Sequence, residues 1–97
     1  MKNEFVLLKF FATWCEPCKW AEPVIKEALA LLADPIPIKP IDVDQQKDLA
    51  DLYNIKSVPV FVLLMNGKEV WRLNGFDTAY KMAAAIRSAI EQSDIKE

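Results

Sequence analysis

Residues 5–11, Phe5-Val6-Leu7-Leu8-Lys9-Phe10-Phe11, are apolar on both parities apart from one lysine. A strand with one wet face alternates, whereas a strand apolar on both sides is covered on both, so this run predicts a central strand of a parallel arrangement. Helical spacing follows over residues 15–33, with Val24, Ala28, Leu31 and Leu32 on one side, and Pro23 inside it predicts a kink. Residues 36–43 read as a second strand, which makes a right-handed βαβ unit. Residues 45–53 form a short helix with Leu49, Leu52 and Tyr53 inward. Residues 58–65 are strongly β-prone, and Asn66-Gly67 is a hairpin signal that returns the chain through residues 69–73, antiparallel to the third strand. Asp77 or Thr78 then caps a last helix to about residue 92, with Met82, Ile86, Ala89 and Ile90 inward.

Pro37 and Pro40 lie in the second strand, where a central position would cost ladder hydrogen bonds, so that strand belongs at an edge. Three residues apart, the two prolines point opposite ways, and one of them faces the ladder. The expected architecture is α/β: a four-stranded mixed sheet in the order 36–43, 5–11, 58–65, 69–73, with about three helices on its faces. No repeat or linker appears, so residues 1–97 read as one domain.

Composition narrows the function classes. A chain 53% hydrophobic with only two glycines is not a disordered one. A net charge of −2 without a basic block gives no footprint for nucleic acid. The absence of histidine excludes a Cys/His dyad, and two cysteines cannot supply the four ligands of a structural zinc. Residues 5–11 are too short to span a bilayer and lack the features of a signal peptide. The expectation is therefore a cytoplasmic protein with no membrane partner, no metal and no organic cofactor.

The chemistry lies in Ala12-Thr13-Trp14-Cys15-Glu16-Pro17-Cys18-Lys19. The two cysteines sit at a strand-to-helix junction, and a helix N-terminus favours a thiolate. So close a pair can cycle between dithiol and disulfide, one sulfur releasing a mixed disulfide formed by the other. A C-x-x-C pair beside a βαβ pattern reads as a redox motif.

At these residues the chain resembles the thioredoxin family. The resemblance rests on Trp14-Cys15-Glu16-Pro17-Cys18-Lys19 after an apolar strand, Pro23, Asp42-Val43-Asp44, Val58-Pro59 opening a β run, Asn66-Gly67, and Gly75 before the last helix. It implies a thioredoxin fold and a protein-disulfide reductase whose redox group is the Cys15–Cys18 disulfide. Cys15 would be the attacking thiolate, the more exposed of the two, and Cys18 the buried resolving thiol. Pro59 would be a cis-proline against the disulfide, with the Val58 backbone free to pair with a substrate segment. Trp14, Glu16, Pro17, Val58, Gly75 and Phe76 would form the rim. Partners would be disulfide-bearing proteins and a thioredoxin-reductase-type electron donor, with the chain itself a monomer.

The departures from the family are local. The chain begins at what is usually the second strand. Glu16 stands where glycine is usual, a choice also familiar from reductases of cytochrome c maturation. Lys9 occupies the place of a buried aspartate behind the second cysteine, and Pro40 that of its lysine partner. Lys9 either snorkels to the sheet's end with its charge in water or acts in proton transfer beside Cys18. Two other readings stay open: a partner-binding module with an incidental redox pair, and an extracytoplasmic reductase of narrow specificity.

Overall fold

The computed structural model describes residues 3–95. Its elements run β1 (Phe5–Phe11), α1 (Glu16–Ala30), β2 (Ile38–Asp42), α2 (Lys47–Leu52), β3 (Val60–Met65), β4 (Lys68–Asn74) and α3 (Ala79–Ile95). The sheet order is β2-β1-β3-β4, with β1 parallel to β2 and antiparallel to β3, and β4 antiparallel to β3. This is the mixed four-stranded sheet expected from the sequence, with β1 central.

The two parities of β1 supply two cores. Leu7 packs with Ala21, Ile25 and Ala28 of α1 and Met82, Ala83 and Ile86 of α3 on one face. Leu8 and Phe10 pack on the other face with Ile41, Val60, Val62 and Leu64, closed by Leu49 and Tyr53 from α2. β3 contributes to both, since Val60 through Leu64 are all buried. Burying each such side chain is worth about 1.5–3 kcal/mol, and six of the ten largest fully buried side chains come from the sheet's middle pair.

The inward faces of two helices differ from those read in the sequence. α1 buries Cys18, Ala21, Ile25 and Ala28, and it ends at Ala30, with Leu31 as its C-cap. Leu31 is exposed because it lies past the last full turn, and Leu32 is only partly buried. In α2 the buried residue is Ala50, while Leu52 is 73% exposed. On a 3.6-residue pitch Leu49, Ala50 and Tyr53 share one face and Leu52 points away from it.

The prolines of the edge strand have separate positions. Leu7 donates its N–H to the carbonyl of Pro37 and Val43 donates to Phe11, so odd-numbered residues of this stretch face β1. Pro37 therefore faces the ladder but sits before Ile38, where β2 begins, and Pro40 faces the open side. The hairpin between β3 and β4 turns on Asn66 and Gly67, both with positive φ (52° and 84°), as a tight two-residue turn requires. The β3–β4 register shifts between Leu63 and Leu64, which pair with Trp71 and Glu69 and leave Val70 as an extra residue.

Candidate functional site

The site forms where β1 ends and α1 begins. Cys15 is the N-cap of α1, in extended conformation (φ −92°, ψ 109°), and its sulfur accepts the backbone N–H of Cys18 at 3.1 Å. Pro17 falls in the first turn, where its missing N–H would have found no helical partner. Pro23 lies inside α1, so the carbonyl of Lys19 lacks its usual i+4 donor. Cys15 and Cys18 are joined in a disulfide, with Cα atoms 5.3 Å apart.

Cys15 is not the more exposed of the pair, contrary to the expectation. It is 3% exposed and Cys18 7%, because Ala12, Phe11, Val43 and Val58 enclose the disulfide. What separates the two sulfurs is the cap. Only the Cys15 sulfur stands at the helix N-terminus with a backbone N–H aimed at it, and that environment stabilises an anion.

The other rim residues arrive from three segments. Cys15 Sγ lies 3.7 Å from the carbonyl oxygen of Val58. The Val58–Pro59 peptide is cis, and Pro59 accepts a hydrogen bond from the N–H of Gly75 at 2.7 Å. That bond fixes Gly75 (φ 93°) and the neighbouring exposed Phe76 beside the cis-proline. Trp14 is 68% exposed, and its indole N–H donates to Asp44 at 2.9 Å. Asp42 in turn accepts the N–H of Asp44, so the end of β2 positions the acceptor. Glu16 and Pro17 are exposed on the first turn of α1, where Glu16 forms an ion pair with Lys19 at 3.3 Å. Trp20 is exposed on α1, and Trp71 is half-buried against the α1–α3 core.

Lys9 shares the parity of Leu7 and so emerges on the α1 face. Its ammonium forms an ion pair with Glu22 and lies 5.6 Å from the centre of the Phe11 ring. The side chain is 12% exposed and that of Glu22 41%. Lys9 therefore does not snorkel to water alone: it is held by a carboxylate in an open depression that Cys18 and Thr13 also line. The hydrogen bond from Lys9 holds the Glu22 carboxyl below its ordinary value; partial burial opposes this, and the charges of Lys9 and Lys26 add to it.

Sequence reasoning missed two residues. Glu22 had a local signal: it follows Cys18 by four residues, the spacing that puts two side chains on one helix face. Asp44 stands in the sequence only within the Asp42-Val43-Asp44 run, and its pairing with Trp14 across 30 residues has no local signature. Among the described residues no group of three His, Cys, Asp or Glu side chains is placed to hold a metal ion. No helix among them is long and apolar enough to cross a membrane.

Comparison with known proteins agrees with this geometry. The thioredoxin family model matches residues 1–88. The chain is 43% identical over 70 residues to a thioredoxin of Chlamydia trachomatis, covering 72% of this chain and 68% of that protein. It is 36% identical over 86 residues to the chloroplastic thioredoxin Y of rice, Oryza sativa, covering 89% of this chain and 51% of the relative. A solved thioredoxin-2 of a malaria parasite superposes with a TM-score of 0.79 at 28% identity, covering 91% of this chain and 85% of that one. The chain spans about half the length of the plant relatives it matches. By its matched residues, its sheet order and its capped cysteine pair, the chain belongs to the thioredoxin family.

Proposed function

We propose that the protein is a thiol–disulfide oxidoreductase that reduces disulfides of other proteins and is recharged by a reductase of the thioredoxin-reductase type. The observation that carries this reading is the position of Cys15, at once the N-cap of α1 and one half of a disulfide with Cys18. In the reduced protein the Cys15 thiolate attacks a substrate disulfide, one substrate sulfur leaves, and a mixed disulfide forms. The Cys18 thiolate then attacks Cys15, the second substrate sulfur leaves, and the Cys15–Cys18 bond carries the two electrons' worth of oxidation. The carbonyl of Val58, beside Cys15 Sγ, is placed to receive an N–H from an extended substrate segment. Trp14, Pro17 and Phe76 offer apolar surface around it. No step calls for a metal or an organic cofactor.

Reduction of insulin with dithiothreitol as donor tests this. Wild type accelerates the reaction, Cys15→Ser abolishes the acceleration, and Cys18→Ser accumulates a mixed disulfide through Cys15 that gel electrophoresis and mass spectrometry detect. A trapped adduct in Cys15→Ser instead would reverse the two roles. Full biological function in a variant with both cysteines changed to serine would favour the binding-module reading.

A further inference from the structure

Four of the six large apolar side chains exposed among the described residues are aromatic, Trp14, Trp20, Phe76 and Tyr80, and they gather at the Cys15 end of the molecule. Trp14 and Phe76 belong to the rim already described. Trp20 and Tyr80 do not, and they are 61% and 78% exposed. The fold does not call for their bulk, because α1 and α3 meet through Ala21, Ile25 and Ala28 on one side and Met82, Ala83 and Ile86 on the other. Contiguous exposed apolar surface marks a place where another molecule sits, and Trp and Tyr are enriched in such places.

Helix periodicity puts the two aromatics on facing sides of α1 and α3. Arg87 of α3 donates to the carbonyl of Leu31, past the end of α1, at 3.1 Å, so its side of α3 faces α1. Tyr80 precedes Arg87 by two turns and shares that side. On α1, Glu22 turns toward Lys9, whereas Val24 packs against the core that α1 and α3 share. Trp20 precedes Val24 by one turn and takes the same side. β1 and β4 run in the same direction, each antiparallel to β3, so α1 and α3 both start at the active-site end. Trp20 and Tyr80 therefore flank the upper part of a seam whose floor includes the small buried residues Ala21 and Ala83. Phe76 stands at its head, beside the cis-proline, where the bond from Gly75 to Pro59 holds it.

We propose that this seam is a subsite for the protein substrate, in which Trp20 and Tyr80 flank a large apolar side chain about three residues from the substrate cysteine. The inference rests on the reading of Cys15 as the attacking sulfur, and it adds a preference to that reaction. The occupant follows from continuity: the seam opens at Phe76, so a chain that has reached Cys15 already lies at its mouth. Trp20 lies five positions after Cys15, a rise of about 7.5 Å along α1, and an extended segment spans that rise and the sideways step to the seam in about three residues. Two charged groups near the head of the seam are engaged within the chain, Glu16 by Lys19 and Asp77 by the Thr78 amide. Apolar contact rather than charge thus selects the occupant.

The test uses peptides whose single cysteine carries a thionitrobenzoate group, which leaves as a coloured anion when Cys15 of the reduced protein attacks the peptide sulfur. One set carries leucine three residues before or after the cysteine, and the other carries serine there. In wild type the leucine peptide of one orientation reacts about tenfold faster than its serine counterpart, the size of one apolar anchor. In the double variant Trp20→Ala, Tyr80→Ala that ratio falls below about twofold, with the loss in KM. Both positions are exposed and alanine favours a helix, so the variant folds, as circular dichroism will show. The small disulfide 5,5′-dithiobis(2-nitrobenzoate), too short to reach the seam, reacts equally with both proteins. Equal rates for leucine and serine peptides in wild type, or a preference that survives in the double variant, overturn the proposal. An equal loss toward the small disulfide also overturns it, because the effect would then lie on Cys15 itself. A wild-type dimer that the double variant abolishes, seen by analytical ultracentrifugation, would give the seam to a second copy of the chain instead. Absence of release from every peptide, or its persistence in Cys15→Ser, would overturn the reading of Cys15.

Discussion

Glu22 shows how one side chain links stability to acidity. Its carboxyl is depressed by the hydrogen bond from Lys9, so the folded protein binds that proton less readily than the unfolded chain. The resulting stability is fully present above the ordinary glutamate range, near about 4.3, and disappears as pH falls through the lower folded value. Glu22→Gln should therefore lower stability at pH 7 by at most about 1 kcal/mol, given the carboxylate's exposure to solvent. The gap between variant and wild type should close in acid, as urea unfolding at neutral and acid pH will show. A gap that widened in acid would mean that the pair does not stabilise the fold. Sequence spacing sufficed to single out Cys15 and Cys18, because their chemistry is local to one run, and the family resemblance added Pro59. It did not reveal that Lys9 had a carboxylate partner, because that depends on which helix face meets the odd parity of β1.

Helix ends decided where the reading of whole elements succeeded and failed. Thr78 was one of two candidates for the cap of α3, and its hydroxyl accepts the N–H of Lys81 at 3.2 Å, while Asp77 accepts the N–H of Thr78. Thr78→Ala should thus cost about 1 kcal/mol, a loss that thermal unfolding followed by circular dichroism resolves, whereas Asp77→Ala should cost less. The hairpin was legible because Asn66-Gly67 meets a backbone requirement that few pairs satisfy. The inward face of α1 was not. Val24, Ala28, Leu31 and Leu32 make a plausible stripe only if the helix continues to residue 33, and it stops at Ala30. The small residues Ala21 and Ala28, which let α1 approach the sheet, carry too little hydrophobicity to stand out in a pattern. β1 and β3 were legible since covering both faces leaves no polar parity at all, Lys9 excepted.

At the scale of the whole molecule, the sheet ends in two edge strands among the described residues, β2 and β4, and β2 carries a visible defence. β2 has no strand on its outer side among the described residues, and unpaired edges recruit other chains. Pro40 faces that side within a strand of five residues, so it removes the middle donor from an edge that would otherwise offer three. Pro40→Val should leave the β1–β2 ladder intact and promote concentration-dependent self-association, visible by light scattering. An unchanged mass at high concentration would show that the short strand is protection enough. The topology was recoverable from sequence because proline marks edges and apolar runs mark centres. The placement of α2 against one face and of α1 and α3 against the other sets the two core layers apart, and the Cys15–Cys18 disulfide lies beyond the end of β1, among Ala12, Phe11, Val43 and Val58.

The Cys15 sulfur is also a structural group, since it accepts the N–H that opens α1. A disulfide sulfur is a weak acceptor and a thiolate a strong one. Reduction of the disulfide therefore tightens the first turn of α1, and its re-formation loosens that turn. The amide hydrogen of Cys18 becomes a gauge of oxidation state: it should exchange with solvent deuterium more slowly in the dithiol protein than in the disulfide protein. In the proposed cycle, α1 is then stiffest when the dithiol is ready for a substrate disulfide and softest just after the exchange.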